Sequence, residues 1–137
     1  MILVDTGPWV ALFDPRDGQH AHCRRVLRDL RGDLYTTVPV LTEAFHMLAP
    51  ESPGALRLRD FLLRGGAAVW FLSEPALVRA LELMNRYAGH PMDLADASLV
   101  VAAEVLRTRR IFTLDRADFA TYRIERGRQL ASFEIVG

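Results

Sequence analysis

Residues 1–8, MILVDTGP, carry the pattern that decides the fold. Ile2-Leu3-Val4 is an apolar run without polar alternation, which is typical of a short strand buried on both faces, as in a parallel sheet. Asp5 or Thr6 can cap a following helix, and Pro8 suits the first turn of that helix. The stretch therefore predicts a buried strand that ends at an acid and leads directly into a helix.

The remaining chain continues to alternate apolar runs with helical periodicity. Further strands are predicted at 34–38, 67–72, 110–114 and 133–136. Helices are predicted at 20–30, 39–48, 54–63, 74–87 and 93–106. This alternation predicts an α/β fold, a three-layer sandwich around a five-stranded parallel sheet. A length of 137 residues fits a single domain, so we expect residues 1–137 to fold as one unit.

Composition excludes several classes of protein. Cys23 is the only cysteine, which excludes an intrachain disulfide framework and a cysteine zinc cluster. The opening apolar run is too short for a signal peptide or a membrane span, so we expect a soluble, cytoplasmic protein that is not associated with membranes. The net charge is zero and therefore says nothing by itself about a nucleic-acid partner.

The charge is unevenly distributed along the chain. All 17 basic residues are arginines, and residues 107–128 hold seven of them against three acids. Such a run is either a solvated face or a surface that contacts phosphates, because the arginine fork binds phosphate in a bidentate manner. Both interpretations stay open, and Arg107, Arg110 and Arg116 are the candidates for contacts with RNA.

Two acids directly follow predicted strands. Asp5 follows the strand at 2–4, and Asp115 follows the strand at 110–114. Ligands of open parallel sheets bind at the carboxyl ends of the strands, so both carboxylates should project from that edge. If the two strands are neighbours, Asp5 and Asp115 lie within reach of one ion.

Further acids stand at the starts of predicted helices. Asp93 and Asp96 share one face of a first turn, and Glu43 lies on a largely apolar helix. Each has a structural alternative, because acids in a first turn cap helices and interact favourably with the helix dipole. Asp115 and Asp118 could likewise cap the segment 116–122.

The argument for a functional site is collective. Several acids at one edge, without a lysine partner anywhere in the chain, repel one another and raise their own pKa values. A divalent cation removes that cost, and an all-oxygen site suits Mg²⁺ or Mn²⁺ rather than zinc.

Four segments in this order resemble the PIN domain, and most closely the VapC group of toxin ribonucleases. They are LVDT at 3–6, TEAF at 42–45, MDLADA at 92–97 and TLDRADF at 113–119. The resemblance implies a PIN-like sheet of strand order 3-2-1-4-5 with an acidic pocket at its carboxyl edge. The acids that it implies to be catalytic are Asp5, Glu43, Asp96 and Asp115. It implies a metal site of Asp5, Asp96, Asp115 and the accessory Asp93, with Thr6 and Asp118 as neighbours.

The activity implied by this resemblance is hydrolysis of RNA phosphodiester bonds by an endoribonuclease that uses one or two Mg²⁺ or Mn²⁺ ions. It further implies a toxin held inactive by a cognate antitoxin, and a homodimer. We expect apolar residues of the helix at 54–63 to contribute to the dimer contact.

Three other functions were weighed against this one. Asp5-Thr6-Gly7 is the signature triplet of aspartic proteases, but those enzymes have a β-rich fold, and this chain reads as mostly helical. A HAD-like phosphatase would have a second acid where Gly7 stands, and a lysine clamp that this chain lacks. A catalytically silent or housekeeping RNA-binding module with the same fold remains the alternative.

Overall fold

The fold places one short buried strand at the centre of a parallel sheet. The computed structural model describes all residues from Met1 to Gly137. In chain order its elements are β1 (Ile2–Val4), α1 (Thr6–Phe13), α2 (His20–Asp29), β2 (Leu34–Thr37), α3 (Val38–Leu48), α4 (Pro53–Leu63), β3 (Ala68–Trp70), α5 (Glu74–Arg86), α6 (Leu94–Leu106), β4 (Arg110–Phe112), α7 (Arg116–Thr121), β5 (Arg123–Arg126), β6 (Gln129–Ser132) and β7 (Glu134–Val136).

The five-stranded sheet has the order β3-β2-β1-β4-β7, and all four of its strand pairs are parallel. This confirms the predicted order, with β7 as the fifth strand of the sheet. Leu3 of β1 pairs with Tyr35 of β2 on one side and with Ile111 of β4 on the other. Because β1 is flanked by strands and fully buried, its carboxyl end, where Asp5 stands, lies at the middle of the sheet edge.

Helices cover both faces of the sheet, as two neighbouring threonines demonstrate. Thr36 accepts a hydrogen bond from the Trp9 indole of α1 at 3.2 Å, whereas the Thr37 hydroxyl lies 2.6 Å from that of Ser98 on α6. Successive side chains of a strand point to opposite faces, so α1 and α6 lie on opposite sides of β2. The expected three-layer α/β sandwich is therefore confirmed.

Helix α6 forms one wall of the core. Eight of its 13 residues are buried, from Ala95 to Ala103, and most of them are small or β-branched. On the other side of the sheet the indole of Trp9 is fully buried and packs edge-on against Phe61. Burying a large aromatic side chain contributes about 2–3 kcal/mol, so these layers hold the sheet edge in place.

The strands end earlier than the sequence predicts, for reasons that involve threonine hydroxyls. β2 stops at Thr37, not Val38, because the Thr37 side chain caps α3 by accepting from Val40 N. β4 stops at Phe112, not Leu114, where Thr113 directs its hydroxyl towards Asp5. The prediction of five strands was also incomplete. β5 and β6 form an antiparallel hairpin that was not predicted, with Gly127 at a φ of 61° in its turn.

No helix of the fold combines the length and the apolar character that a bilayer crossing requires.

Candidate active site

The carboxyl edge of the sheet gathers carboxylates from four parts of the chain. Asp5 follows β1, Asp115 follows β4, Glu43 lies on α3, and Asp93 and Asp96 stand at the start of α6. Their proximity is evident from their electrostatics, since the charge of Asp93 raises the pKa of each of the other four. The structure thus brings together all five acids that the sequence singled out for the metal site and catalysis.

Asp5 is the most deeply placed of these acids, with 2% of its surface exposed. Its Oδ1 accepts from Thr6 N at 2.8 Å, and its Oδ2 accepts from the Thr113 hydroxyl at 2.8 Å. Burial raises the pKa of Asp5 to about 7, and the charges of Asp115 and Asp93 contribute, while both hydrogen bonds oppose the shift. Asp5 is therefore fixed in position and costly to ionise.

Thr113 connects two acids that belong to neighbouring strands. Its hydroxyl donates to Asp5 and accepts from Asp115 N at 3.0 Å, and Asp5 N in turn donates to Phe112 O at 3.0 Å. Sequence reasoning did not select Thr113 as a site residue. The signal was a hydroxyl residue two positions before Asp115, at the point where a buried strand ends.

Asp93 and Asp96 combine the structural and the functional interpretations. Asp93 Oδ1 accepts from Asp96 N at 2.8 Å, so Asp93 is the N-cap of α6. Burial raises the pKa of Asp96 to about 7, and the charges of Asp93 and Asp5 add to the effect. Capping thus explains the hydrogen bond that the Asp93 carboxylate accepts from the backbone of this turn. It does not compensate the negative charge of the Asp93 and Asp96 carboxylates.

Glu43 and Asp115 are exposed, as is Asp93. Burial is the largest cause that raises the pKa of Glu43 and of Asp115. The charges of Asp93 and Asp115 raise the pKa of Glu43 further, and the charges of Asp118 and Asp93 raise that of Asp115. Neither Glu43 nor Asp115 takes part in any ion pair of the chain. Their carboxylates are therefore free to turn towards a ligand.

The accessory residues have different surroundings. The Thr6 hydroxyl is close enough to Glu43 to favour its ionised form, yet it is buried without a partner at hydrogen-bond distance. Asp118 instead lies against His90, with Oδ1 2.7 Å from Nε2. Thr6 thus offers an unused polar atom beside the acids, whereas Asp118 is already engaged at the rim.

The three candidate arginines do not lie together. Arg116 follows Asp115 directly, as the first residue of α7, and is exposed. Arg107 ends α6, and Arg110 begins β4 and donates to Arg31 O at 3.0 Å, so both lie at the amino edge of the sheet. Only Arg116 is near the acids. Arg107 and Arg110 do not lie near the acids, so their contacts with RNA stay a prediction that their position does not support.

The donor set fits a divalent cation in chemistry and charge. All five side chains offer oxygen ligands, no arginine neutralises them, and the Thr6 hydroxyl adds an unpartnered oxygen. No three His, Cys, Asp or Glu side chains converge closely enough to form a ready metal site. Like charges repel, and a divalent cation would offset the repulsion between these carboxylates.

The fold is also incompatible with two of the alternatives weighed from the sequence. Asp5-Thr6-Gly7 leads into α1 of an α/β sandwich instead of lying in the β-rich fold of an aspartic protease. A HAD-like phosphatase site is absent because Gly7, in α1, supplies no second acid.

A protein-family model and a named ribonuclease each match most of this chain. The family model of the PIN domain matches residues 2–125. Ribonuclease VapC26 of Mycobacterium tuberculosis is 29% identical over 128 residues, which cover 89% of this chain and 92% of that protein.

Solved structures give the same match in three dimensions. VapC20 of Mycobacterium tuberculosis, a sarcin-ricin loop cleaving toxin, is 20% identical with a TM-score of 0.77 and covers 86% of this chain and 94% of its own. A toxin-antitoxin complex from Klebsiella pneumoniae has a chain that is 19% identical with a TM-score of 0.68, covering 88% and 92%. At these identities the structures establish similarity of fold.

Proposed function

The chain belongs to the PIN domain family, and from this membership we propose that it is an endoribonuclease that depends on Mg²⁺ or Mn²⁺. The observation that carries the proposal is the group of five carboxylates at one sheet edge, none of which has a cation partner; the pKa values of Asp5, Glu43, Asp96 and Asp115 are raised. The identity of 29% with a named ribonuclease supports RNA as the substrate.

In this proposal Asp5, Asp93, Asp96 and Asp115 hold the metal. When bound, a divalent cation supplies positive charge that lowers the pKa of a water and stabilises charge on the phosphate oxygens. Thr113 keeps Asp5 in place through its hydrogen bond of 2.8 Å. The buried Asp5, held by two hydrogen bonds, would anchor the metal, whereas the exposed Asp115, which forms no ion pair, would complete its coordination.

We assign to Glu43 the handling of the attacking water. Its raised pKa makes its carboxylate a better proton acceptor near neutral pH, and it forms no ion pair that would hold it away from a water. A Glu43 oxygen takes the proton while the water oxygen bonds to phosphorus; the bond from phosphorus to the 3′ oxygen breaks, and this oxygen takes up a proton from solvent. No 2′-hydroxyl participates, so the products carry a 5′ phosphate and a 3′ hydroxyl.

Arg116 is the candidate for binding the substrate backbone. It adjoins Asp115, is exposed, and forms no ion pair, so its guanidinium is available for a phosphate. Its charge also offsets repulsion between the acids and an approaching RNA.

We further propose that the protein is the toxin of a VapBC-type pair and that an antitoxin restrains it. The name of the relative, Ribonuclease VapC26, and the description of a structural neighbour as part of a toxin-antitoxin complex support this. Folding of residues 1–137 as one domain, a homodimer through α4 and a cytoplasmic location stay predictions.

The alternative is a silent or housekeeping RNA-binding module with the same fold. The complete set of carboxylates favours turnover, since a binding module has no use for five unpaired acids at one edge. The two functions differ in one property: a binding module would retain RNA affinity without cutting, with or without metal.

A cleavage assay on a mixed single-stranded RNA pool tests the proposal. Purified protein is incubated with Mn²⁺, with Mg²⁺ and with EDTA, beside the Asp5→Asn and Asp60→Asn variants. Asp60 is an exposed acid paired with Arg64 outside the site, so it controls for loss of a carboxylate. We expect 5′-phosphate products from the wild type and from Asp60→Asn only, and only with metal. RNA binding without cleavage under every condition would refute the nuclease and favour the binding module.

A further inference from the structure

One hydrogen bond links the acidic site to a residue outside all four sequence motifs. The Tyr122 hydroxyl donates to Asp96 Oδ2 at 3.0 Å, and Tyr122 is fully buried. Asp96 Oδ1 accepts no hydrogen bond from the protein. One oxygen of this carboxylate is therefore engaged, and the other is left free.

The ring of Tyr122 is held by aromatic contacts on several sides. Tyr87 and Phe119 each lie 5.2 Å from it between ring centroids, at interplanar angles of 75° and 83°. The ring of His90 lies 6.0 Å away at 84°. These are edge-to-face arrangements, which are favoured between aromatic rings and resist rotation of the packed ring. The position of the hydroxyl is thereby fixed.

The backbone around Tyr122 is tied down as well. Tyr122 N donates to Asp118 O at 3.1 Å, and Arg123 N donates to the hydroxyl of Tyr87 at 3.0 Å. His90 also contacts the Asp118 carboxylate. The loop between α5 and α6, helix α7 and the start of β5 are thus fastened together beside Asp96.

We propose that Tyr122 is a positioning residue that holds Asp96 by Oδ2 so that Oδ1 is presented to the metal. This rests on the proposed metal-dependent function, and it assigns a role to a residue that the family motifs in this sequence do not include. Hydrogen bonds that orient a ligand are as much a part of a metal site as the ligand, and their removal weakens binding.

A purely structural role of Tyr122 would have different effects on stability and on metal affinity. A buried tyrosine needs an acceptor for its hydroxyl, and Asp96 could serve only that need. In that case removal of the hydroxyl would change stability and leave the metal affinity as it was. Tyr87 provides the matched control, because it belongs to the same aromatic cluster but bonds to a backbone amide instead of an acid.

The test measures Mn²⁺ affinity, without RNA, from the electron paramagnetic resonance signal of the free ion. The proteins are the wild type, Tyr122→Phe, Tyr87→Phe, Asp96→Asn and the double variant Tyr122→Phe/Asp96→Asn. We expect Tyr122→Phe to weaken Mn²⁺ binding about 10-fold and Tyr87→Phe to leave it unchanged. In the Asp96→Asn background, Tyr122→Phe should have no further effect, because the two residues act as a unit. RNA cleavage by Tyr122→Phe should show a lower kcat with an unchanged KM.

The outcomes separate this inference from the function on which it rests. If the wild type binds no Mn²⁺, the proposed function fails and the inference fails with it. If the wild type binds Mn²⁺ and Tyr122→Phe binds it equally well, or if Tyr87→Phe weakens binding as much, only the positioning role is overturned. Circular dichroism and thermal melting of each variant show whether it is folded at the assay temperature.

Discussion

The two ends of helix α6 contain acids in opposite situations. At its start, Asp93 and Asp96 have no basic partner, and burial raises the pKa of Asp96 to about 7. Near its end, Glu104 accepts two hydrogen bonds of 3.1 Å from the Arg79 guanidinium and one of 2.8 Å from Glu125 N. The helix has 13 residues, so the two ends are about 20 Å apart.

This chain thus pairs a carboxylate with an arginine where the carboxylate has only a structural role. Glu104 and Asp96 are both half-buried, yet an arginine from α5 neutralises Glu104, and the hydrogen bonds of Glu104 raise the pKa of Arg79. The chain has 17 arginines, and none is paired with the five acids of the sheet edge. The fold pairs Glu104 with an arginine but leaves the five acids of the sheet edge unpaired, which indicates that these five acids form a ligand-binding site.

The largest effect should appear in the pH dependence of stability without metal. Asp5 ionises near pH 3.8 when unfolded and near pH 7 when folded, so the folded state holds the proton between these values. Stability should therefore fall as pH rises from about 4 to about 7, by up to about 4 kcal/mol from Asp5 alone. Urea denaturation from pH 5 to pH 8 in EDTA measures this, and Asp5→Asn should make the curve shallower, while the raised pKa of Asp96 keeps part of the slope. A wild type more stable at pH 8 than at pH 5 would contradict the shift.

A divalent metal should restore the stability that is lost at high pH, and it should do so by binding at the start of α6 and not at its end. Mn²⁺ at about 100 times its Kd should stabilise the folded protein by about 3 kcal/mol at pH 8 and by less at pH 5.5, because protons compete for the carboxylates. Thermal melts with and without Mn²⁺ measure the shift in Tm. Asp96→Asn should lose the shift, while Glu104→Gln should keep it. An equal shift in both variants would place the metal elsewhere.

Loss of Arg79, which pairs with Glu104 near the end of α6, should lower the stability of the protein. Arg79→Met leaves Glu104 without its countercharge at a side-chain exposure of 13%, which should lower the free energy of unfolding by about 2 kcal/mol. Chemical denaturation measures the change, and Arg64→Met, which breaks an exposed pair with Asp60, is the control, with little expected effect. Equal losses in the two variants would mean that the Arg79 pair is worth no more than a surface pair.

The smallest effect concerns RNA. Arg116→Ala should weaken RNA binding about 3-fold and lower the salt slope of binding by about one, as expected for one phosphate contact. Arg107→Ala tests the second predicted RNA contact, at the far end of α6, and should have a smaller effect because Arg107 lies far from the acids. Fluorescence anisotropy at several salt concentrations measures both variants. A larger effect of Arg107 would move the RNA path to the amino edge of the sheet.

Much of the fold could be predicted from the sequence because its signals are local. Ile2-Leu3-Val4 is apolar on both faces and ends at an acid, and this is sufficient to predict a central parallel strand and the edge where Asp5 projects. The hairpin of β5 and β6 was missed because its alternation is weak, and Leu130, 61% exposed, does not face the core.

The site was predictable where an acid follows a strand or starts a helix, and not where a contact joins distant parts of the chain. Tyr122 reaches Asp96 across 26 residues, and Thr113 reaches Asp5 across 108. No periodicity encodes such pairs. The arginines of residues 107–128 are clustered in sequence but divided in space, because β4 begins at Arg110 and crosses the sheet before the chain reaches Arg116 in α7.

RNA cleavage by two variants of α6 shows which end of this helix belongs to the active site. Asp96→Asn and Glu104→Gln each remove one carboxylate charge from α6, and both are assayed with Mn²⁺ after their folding has been verified by circular dichroism. Our account predicts that Asp96→Asn reduces kcat/KM by about 100-fold or more, whereas Glu104→Gln cuts at nearly the rate of the wild type. Cleavage by Asp96→Asn at the rate of the wild type would contradict the assignment of the active site to the unneutralised end of the helix.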